Sequence, residues 1–149
     1  PIRNVTLAIP EPIGVMAIVC PDDTPLLALA TLAATALALG NTLVVVPSPC
    51  APLSATDFYQ VLETSDVPAG TLNIVTGARD ELAKTLAEHD DVDAIWYAGP
   101  PEGQAMVQRA SAGNMKRTWV LPASGPLPHA DEILREATQV KNIWVPYGA

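Results

Sequence analysis

The sequence is poor in positive charge and in aromatic side chains. Eight of its 149 residues are Lys or Arg, sixteen are Asp or Glu, and the formal net charge is −8. Nucleic acids and anionic membranes bind clustered basic side chains, so we expect neither as a partner. Aromatic residues make up only 5% of the chain, but 49% of it is hydrophobic, which is typical of a globular protein rather than a disordered one.

The sequence also has few cysteines and no long apolar run. Two cysteines, Cys20 and Cys50, are too few for a disulfide framework, and we interpret them as reduced thiols of a cytoplasmic protein. The start of the chain lacks the apolar segment of a signal peptide. The most apolar run, Leu26–Leu39, is shorter than the roughly 20 residues that cross a bilayer.

Short β-rich runs alternate with helical patterns along the chain. This alternation predicts a doubly wound α/β fold with a mostly parallel sheet of five or six strands and helices on both faces. Because the chain shows no linker and begins with Pro, we expect residues 1–149 to form one domain, either a fragment or the C-terminal domain of a longer protein. The predicted strands are Gly14–Cys20, Thr42–Val46, Thr71–Thr76, Ala94–Tyr97, Arg117–Leu121 and Asn142–Pro146.

Proline, glycine and capping residues predict where the helices begin and end. Thr24 is a candidate N-cap before Pro25, Gly40 is a candidate C-terminal stop, and Ser54 opens a capping-box-like start. The helix Pro25–Leu39 is apolar around its circumference, so we expect neighbouring helices, another domain or another subunit to bury its outer side. The other predicted helices are Ala78–His89, Pro101–Ala112 and Ala130–Ala137.

No phosphate-binding motif is present in the sequence. The turn Gly99–Gly103 follows a strand and opens a helix, a position that favours anions. However, Pro100 and Pro101 have no backbone N–H to donate. The pattern therefore favours a Pro-initiated helix over a phosphate site.

Residues for acid–base or nucleophilic catalysis are also hard to find. Asp22 and Asp23 follow the first core strand at the functional end of the sheet and could transfer protons, although a solvated turn explains them as well. His89 lies at a predicted helix C-terminus, where a solvated cationic cap is expected. The Asp residues in segment 90–93 lack the Gly and distal Glu of a calcium loop, so we expect no metal.

Three segments resemble the NAD-binding half of aldehyde dehydrogenases. They are "EPIGVMAIVCPDDTPLLALATLAATALALGNTLVVVPS", "VPAGTLNIVTG" and "VDAIWYAGPPEGQ". The ending "LREATQVKNIWVPYG" and the missing functional groups most resemble the C-terminal pseudo-domain of family-sixteen aldehyde dehydrogenases. The resemblance implies a Rossmann-like fold and a parent protein that oxidises aldehydes with NAD.

The positions that carry chemistry in this family are changed in this chain. Asp23 replaces the Asn of the oxyanion hole, and a carboxylate repels an oxyanion. In the ribose-binding loop, Val46 replaces the Lys and Pro49 replaces the Glu. Leu121 replaces the general-base Glu, and the catalytic domain with its nucleophilic Cys is absent. The resemblance therefore implies no catalytic residue in this chain.

The resemblance also implies that this chain does not bind NAD, although its active relatives use NAD. The sequence predicts a non-catalytic structural or assembly module that packs on a catalytic aldehyde dehydrogenase domain, in the same or another chain, and forms homo-oligomers. The alternatives are an NAD-binding fragment that completes its site with another domain, and a sensor of another small molecule. The residues of the degenerate cleft are Val46, Pro47, Ser48, Gly99 and Glu102.

Overall fold

The computed structural model describes residues 3–147, which form seven strands, five α-helices and one 3₁₀ turn at Ala112–Asn114. The strands are β1 (Arg3–Pro12), β2 (Val15–Val19), β3 (Thr42–Val46), β4 (Leu72–Ile74), β5 (Ala94–Ala98), β6 (Arg117–Leu121) and β7 (Thr138–Tyr147). The helices are α1 (Pro25–Ala38), α2 (Pro52–Glu63), α3 (Arg79–Glu88), α4 (Pro101–Ser111) and α5 (Ala130–Glu136).

Five strands form a parallel sheet in the order β4-β3-β2-β5-β6. Each neighbouring pair is parallel, and β2 lies at the centre between β3 and β5. The chain winds from β2 towards β4 and then crosses to β5 and β6, so the winding reverses between β2 and β5. Ligands of open α/β sheets bind at such a reversal point, beyond the carboxyl ends of the strands. The predicted doubly wound fold is confirmed.

Helices cover both faces of this sheet, and alternate residues of each strand face opposite sides. In β2, Met16 and Ile18 join the core cluster that contains residues of α1, α2 and α5. Ala17 and Val19 join the second cluster, which contains residues of α3 and α4. Burial on both faces explains why the strands appear in the sequence as nearly continuous apolar runs.

Helix α1 is buried on one side only. Leu29 and Leu32 are buried, but Leu26 is 44% exposed and Leu27 is 59% exposed. Neighbouring helices of the same layer therefore do not cover the outer side of α1, and that part of the expectation is wrong. As predicted, Pro25 is the first residue of the helix and Gly40 follows its end with φ +89°. Thr24 stands at the N-cap position, but its side chain makes no capping hydrogen bond, so its predicted capping role is wrong.

Helix α2 begins earlier than predicted. Its first residue is Pro52, and Ala51 is its N-cap. The hydroxyl of Ser54 donates to the carbonyl oxygen of Ala51 at 2.8 Å instead of accepting from an N–H, so the predicted capping box is wrong. Proline already has the helical φ and no amide hydrogen, which makes Pro52 a suitable first residue.

The C-terminal strand is not part of the parallel sheet. β7 pairs with β1 in an antiparallel two-stranded ribbon, from the pair Arg3–Tyr147 to the pair Pro12–Thr138. The sequence patterns did not predict β1, because Pro10 and Pro12 argue against a strand. A two-stranded ribbon tolerates them, since each strand has an outer edge without ladder hydrogen bonds. The strand predicted at Asn142–Pro146 is therefore present, but it is longer than predicted and pairs with β1.

A buried asparagine links the C-terminal ends of α1 and α5 to the start of β2. Asn41 is 3% exposed, and its Oδ1 accepts from the backbone N–H groups of Ile13 (2.8 Å) and Gly14 (3.1 Å). Its Nδ2 donates to the carbonyl oxygens of Ala36 (3.0 Å) and Ala137 (2.9 Å). One side chain thus satisfies backbone groups at the start of β2, the end of α1 and the end of α5.

Candidate functional site

The candidate site is the crevice at the reversal point of the sheet, bounded by the loop after β2 and the loop after β5. We call it the crevice below. The loop after β3 and the first turn of α3 also reach it, because Ser48 and Arg79 both contact Asp22 of the loop after β2. The topology therefore brings residues of four separate segments together at one edge of the sheet.

An ion pair occupies the β2 side of the crevice. Arg79 donates from Nη1 to Oδ2 of Asp22 at 3.0 Å and from Nη2 to Oδ1 of the same carboxylate. The hydroxyl of Ser48 also donates to Oδ1 of Asp22, at 2.6 Å, and accepts from the backbone N–H of Cys50 at 3.1 Å. The Arg79 side chain is 11% exposed and the Asp22 side chain 37%. Arg79 is thus largely removed from water and neutralised by Asp22.

The titratable groups beside this pair are poorly suited to proton transfer or nucleophilic attack near neutral pH. The hydrogen bond from Arg79 lowers the pKa of Asp22, and Ser48 lowers it further, so Asp22 stays a carboxylate. Burial at the end of β2 raises the pKa of Cys20 to about 12. A thiol with that pKa is not a nucleophile, because the thiolate is the reactive form.

The β5 side of the crevice is filled by Tyr97. Its hydroxyl donates to Oδ1 of Asp80 at 2.8 Å. Its ring lies against two glycines: a Cβ added at either Gly99 or Gly103 would lie 2.6 Å from Cζ of Tyr97. Burial and the neighbouring Asp80 carboxylate both raise the pKa of Tyr97, which remains a neutral phenol.

The N-terminus of α4 offers few donors to an anion. Pro100 and Pro101 have no backbone N–H, and the N–H of Gly99 donates to the carbonyl oxygen of Leu121 at 3.2 Å. Nε2 of Gln104 donates to the carbonyl oxygens of Gly99 (2.9 Å) and Leu121 (3.0 Å). These bonds tie the turn to β6 rather than leaving it open for a phosphate.

The remaining residues predicted for the cleft are dispersed. Val46 and Pro47 are buried, with Val46 in the core cluster on the α3–α4 side, and Glu102 is exposed on the first turn of α4. Asp23 accepts from the backbone N–H of Gly125 at 3.0 Å and so links the loop after β2 to the loop after β6. Among the predicted cleft residues, Ser48 is the one that contacts the ion pair.

An uncharged groove lies next to the loop after β3. Its volume is about 340 Å³. It offers two hydroxyl groups and no charged side chain, so it suits an uncharged group better than a phosphate. It is lined by Pro47, Pro49, Pro52, Leu53, Thr56, Thr76 and Gly77.

Three residues of the crevice were not predicted from the sequence: Arg79, Asp80 and Tyr97. One signal for Arg79 was present, because it stands at the start of a helix, where the helix dipole disfavours a cation. A cation at that position indicates a nearby carboxylate that stabilises it. Nothing in the local sequence indicates that this carboxylate is Asp22, which lies 57 positions away.

The described part of the chain offers neither a metal site nor a membrane-spanning helix. Within residues 3–147, no three His, Cys, Asp or Glu side chains converge to hold a metal ion. Of the predicted acidic segment, Asp93 accepts from the backbone N–H of Val15 at 2.8 Å. No helix in the same range has the length and apolar character needed to span a bilayer.

The fold and the position of the crevice define a doubly wound α/β protein of the Rossmann type. A model of the aldehyde dehydrogenase family matches residues 3–124, and the chain belongs to this family.

Two protein relatives and one solved structure illustrate the similarity. NADP/NAD-dependent aldehyde dehydrogenase PuuC of Escherichia coli (strain K12) is 36% identical over 79% of this chain and 24% of its own length. The cytosolic 10-formyltetrahydrofolate dehydrogenase of Mus musculus is 35% identical over 94% of this chain and 16% of its own length. A mutant of aldehyde dehydrogenase C from Pseudomonas syringae, solved with NAD+ and octanal, superimposes with a TM-score of 0.75 at 36% identity, covering 78% of this chain and 24% of that one. This chain therefore spans a quarter or less of these relatives.

Proposed function

We propose that this chain is a non-catalytic aldehyde dehydrogenase-like pseudo-domain with a structural and assembly role in a cytoplasmic protein that oxidises aldehydes with NAD. The observation that carries the proposal is the filled crevice. Asp22 and Arg79 occupy its β2 side, and Tyr97 occupies its β5 side. The finer assignment, to the C-terminal pseudo-domain of family-sixteen enzymes, is part of the same proposal.

Electrostatics support the absence of NAD from this chain. Three carboxylates, those of Asp22, Asp23 and Asp80, lie around the crevice beside a single guanidinium, that of Arg79. A pyrophosphate carries negative charge of its own and would meet repulsion there. Val46 and Pro49 provide no ribose-binding side chains, because a valine and a proline carry no donor or charge.

Residues for the chemistry of the family are also missing. Asp23, at the position of the oxyanion Asn, is a carboxylate whose Oδ2 accepts from Gly125. Leu121, at the position of the general base, cannot accept a proton. We therefore assign no catalytic residue, no metal and no bound cofactor to this chain, and assign NAD chemistry to a catalytic domain elsewhere.

The ribbon supports the assembly role. Its pairing places Val5 opposite Val145 and Leu7 opposite Ile143, so the middle of one face of the ribbon is apolar, and charged side chains flank it. On that face Val5, Leu7 and Val145 are 44–47% exposed. Exposed apolar faces of this kind mark interaction surfaces. We propose that this face packs against a second copy of the chain or against a catalytic aldehyde dehydrogenase domain, and we propose no nucleic acid or membrane partner.

We expect no heat of NAD binding when the purified chain is titrated by calorimetry. Tyr97 and the Asp22–Arg79 pair occupy the crevice, and the turn after β5 lacks phosphate donors. Calorimetry is preferred to tryptophan fluorescence, because Trp96 is buried on the opposite face of the sheet from Tyr97. PuuC serves as the positive control. A dissociation constant below about 1 mM, roughly −4 kcal/mol, would overturn the pseudo-domain proposal.

The alternative function is an NAD-binding fragment that completes its site with another domain. The uncharged groove of about 340 Å³ beside Pro47 favours it, since the groove could accept the adenosine part of a nucleotide. The same titration separates the two functions. Binding of NAD or of adenosine alone would favour the fragment.

We expect Leu7→Lys to prevent self-association, because it places a charge on the apolar face of the ribbon. Thr6→Lys is the matched control, since Thr6 is exposed on the opposite face, paired with Trp144. Sedimentation equilibrium should give an oligomer for the wild type and for Thr6→Lys, and a folded monomer for Leu7→Lys. A monomeric wild type, or equal masses for the two variants, would argue against the homo-oligomer.

A further inference from the structure

We propose that Asp22 is a built-in anionic occupant of the crevice: its carboxylate fills the position at Arg79 and Ser48 that a phosphate-type oxyanion would otherwise take. This inference rests on the proposed absence of nucleotide binding and gives that absence a physical cause. It predicts a latent oxyanion site in the chain, which the wild-type sequence keeps filled.

The donors around Asp22 form a set suited to an oxyanion. The guanidinium of Arg79 contacts both carboxylate oxygens, and the hydroxyl of Ser48 donates to one of them at 2.6 Å. A planar guanidinium fork binds a carboxylate and a phosphate in the same bidentate way. Three donors, from the loop after β3 and from the first residue of α3, therefore converge on one carboxylate, and that carboxylate belongs to the chain itself.

Burial restrains both donors in addition to their contacts with Asp22. Ser48 is 1% exposed, and its hydroxyl accepts from the backbone N–H of Cys50. Arg79 is the first residue of α3, and its side chain is 11% exposed. Removing the carboxylate would thus leave the donors near their present positions rather than releasing them into solvent.

Arg79 depends on Asp22 for its compensating charge. Its Nε is buried and has no hydrogen-bond partner among residues 3–147, so the contacts to Asp22 are what stabilise the cation. The other nearby carboxylates make no hydrogen bond to Arg79: Asp80 accepts from Tyr97, and Asp23 accepts from Gly125. A buried charge that loses its partner is strongly destabilising. Without Asp22, an anion from solution is the available substitute.

Solvent can reach the position of the carboxylate. The Asp22 side chain is 37% exposed although Arg79 behind it is nearly buried. An inorganic anion can therefore enter once the carboxylate is truncated. In the wild type the same position is blocked by the covalently attached carboxylate, which no free anion displaces at ordinary concentration.

The test is rescue of Asp22→Ala by inorganic phosphate at constant ionic strength. We expect the variant to unfold at a lower temperature than the wild type, and phosphate to raise its Tm progressively, as binding to the folded state requires. Phosphate should leave the wild type and the control Asp23→Ala unchanged. The double variant Asp22→Ala/Arg79→Met should not respond, because it lacks the guanidinium.

Two further results keep this test decisive. If Asp22→Ala does not stay folded in phosphate-free buffer, the yield of refolding with and without phosphate replaces the Tm. The proposal would be overturned if phosphate raised neither the Tm nor the refolding yield of Asp22→Ala. It would also be overturned if phosphate had the same effect on the wild type, Asp22→Ala, Asp23→Ala and the double variant. NAD binding to the wild type together with phosphate rescue of Asp22→Ala would remove the proposed function and leave the built-in anion in place.

Discussion

Replacing Trp96 by Ala is expected to lower the free energy of unfolding by about 3–5 kcal/mol. Trp96 is 1% exposed in β5 and belongs to the core cluster that joins the sheet to α1, α2 and α5. It also contacts Trp119 edge-to-face, with the ring centroids 5.0 Å apart. Truncation removes the apolar contacts and leaves a cavity that close-packed neighbours fill only in part. Because whole domains are stable by only about 5–15 kcal/mol, a large share of the stability would be lost.

Urea denaturation measures this effect, and the chain offers a matched control. Trp144→Ala makes the same chemical change on the ribbon, where the side chain is 73% exposed. We expect that variant to stay within about 0.5 kcal/mol of the wild type, as is usual for surface positions. Similar midpoints for the two variants would contradict the assignment of Trp96 to the core.

Replacing Asn41 by Ala is expected to lower the free energy of unfolding by about 2–4 kcal/mol. The substitution removes four hydrogen bonds to backbone groups and leaves the N–H groups of Ile13 and Gly14 and the carbonyl oxygen of Ala137 without this partner. A buried backbone group without a partner costs about 1–3 kcal/mol, and compensation between neighbouring groups keeps the total below the sum. The destabilisation should be local to the junction of β2, α1 and α5 and should leave the crevice unchanged.

The same denaturation experiment checks this value against Asn142→Ala, which truncates an exposed asparagine of β7. We expect the control to change stability by less than about 0.5 kcal/mol. Hydrogen exchange adds a local readout, because the amides of Ile13 and Gly14 should lose protection in Asn41→Ala alone. Unchanged protection there would show that another group takes over the role of Asn41.

The parallel sheet could be predicted from the sequence because its signals are local. β3 and β6 have the predicted bounds, and β5 ends one residue beyond its prediction. β3 and β5 lie inside the sheet and are largely buried, so each one forms an apolar run in the sequence. The edge strand β6 is half-buried throughout. Pro25 and Gly40 likewise act within one turn of the helix ends that they determine.

The ribbon and most of the crevice could not be predicted, because their determinants are distant in sequence. β1 forms a strand because it pairs with β7, which is more than 100 residues away along the chain. The residues that share its apolar face are determined by the register of this pairing. The topology located the loops of Asp22 and Ser48 correctly. It did not show that Arg79 crosses to Asp22, since side-chain contacts over such separations leave no pattern in the local sequence.

The pairing of β1 with β7 has a consequence for biosynthesis. In this segment β1 is translated first and its partner last, so Val5, Leu7 and Ile9 lack their cross-strand neighbours while the entire parallel sheet is being made. Chains that expose apolar strands during synthesis are prone to aggregate and are the substrates of chaperones. The apolar face of the ribbon, which we propose as the assembly surface, is thus completed only after β7 has been synthesised.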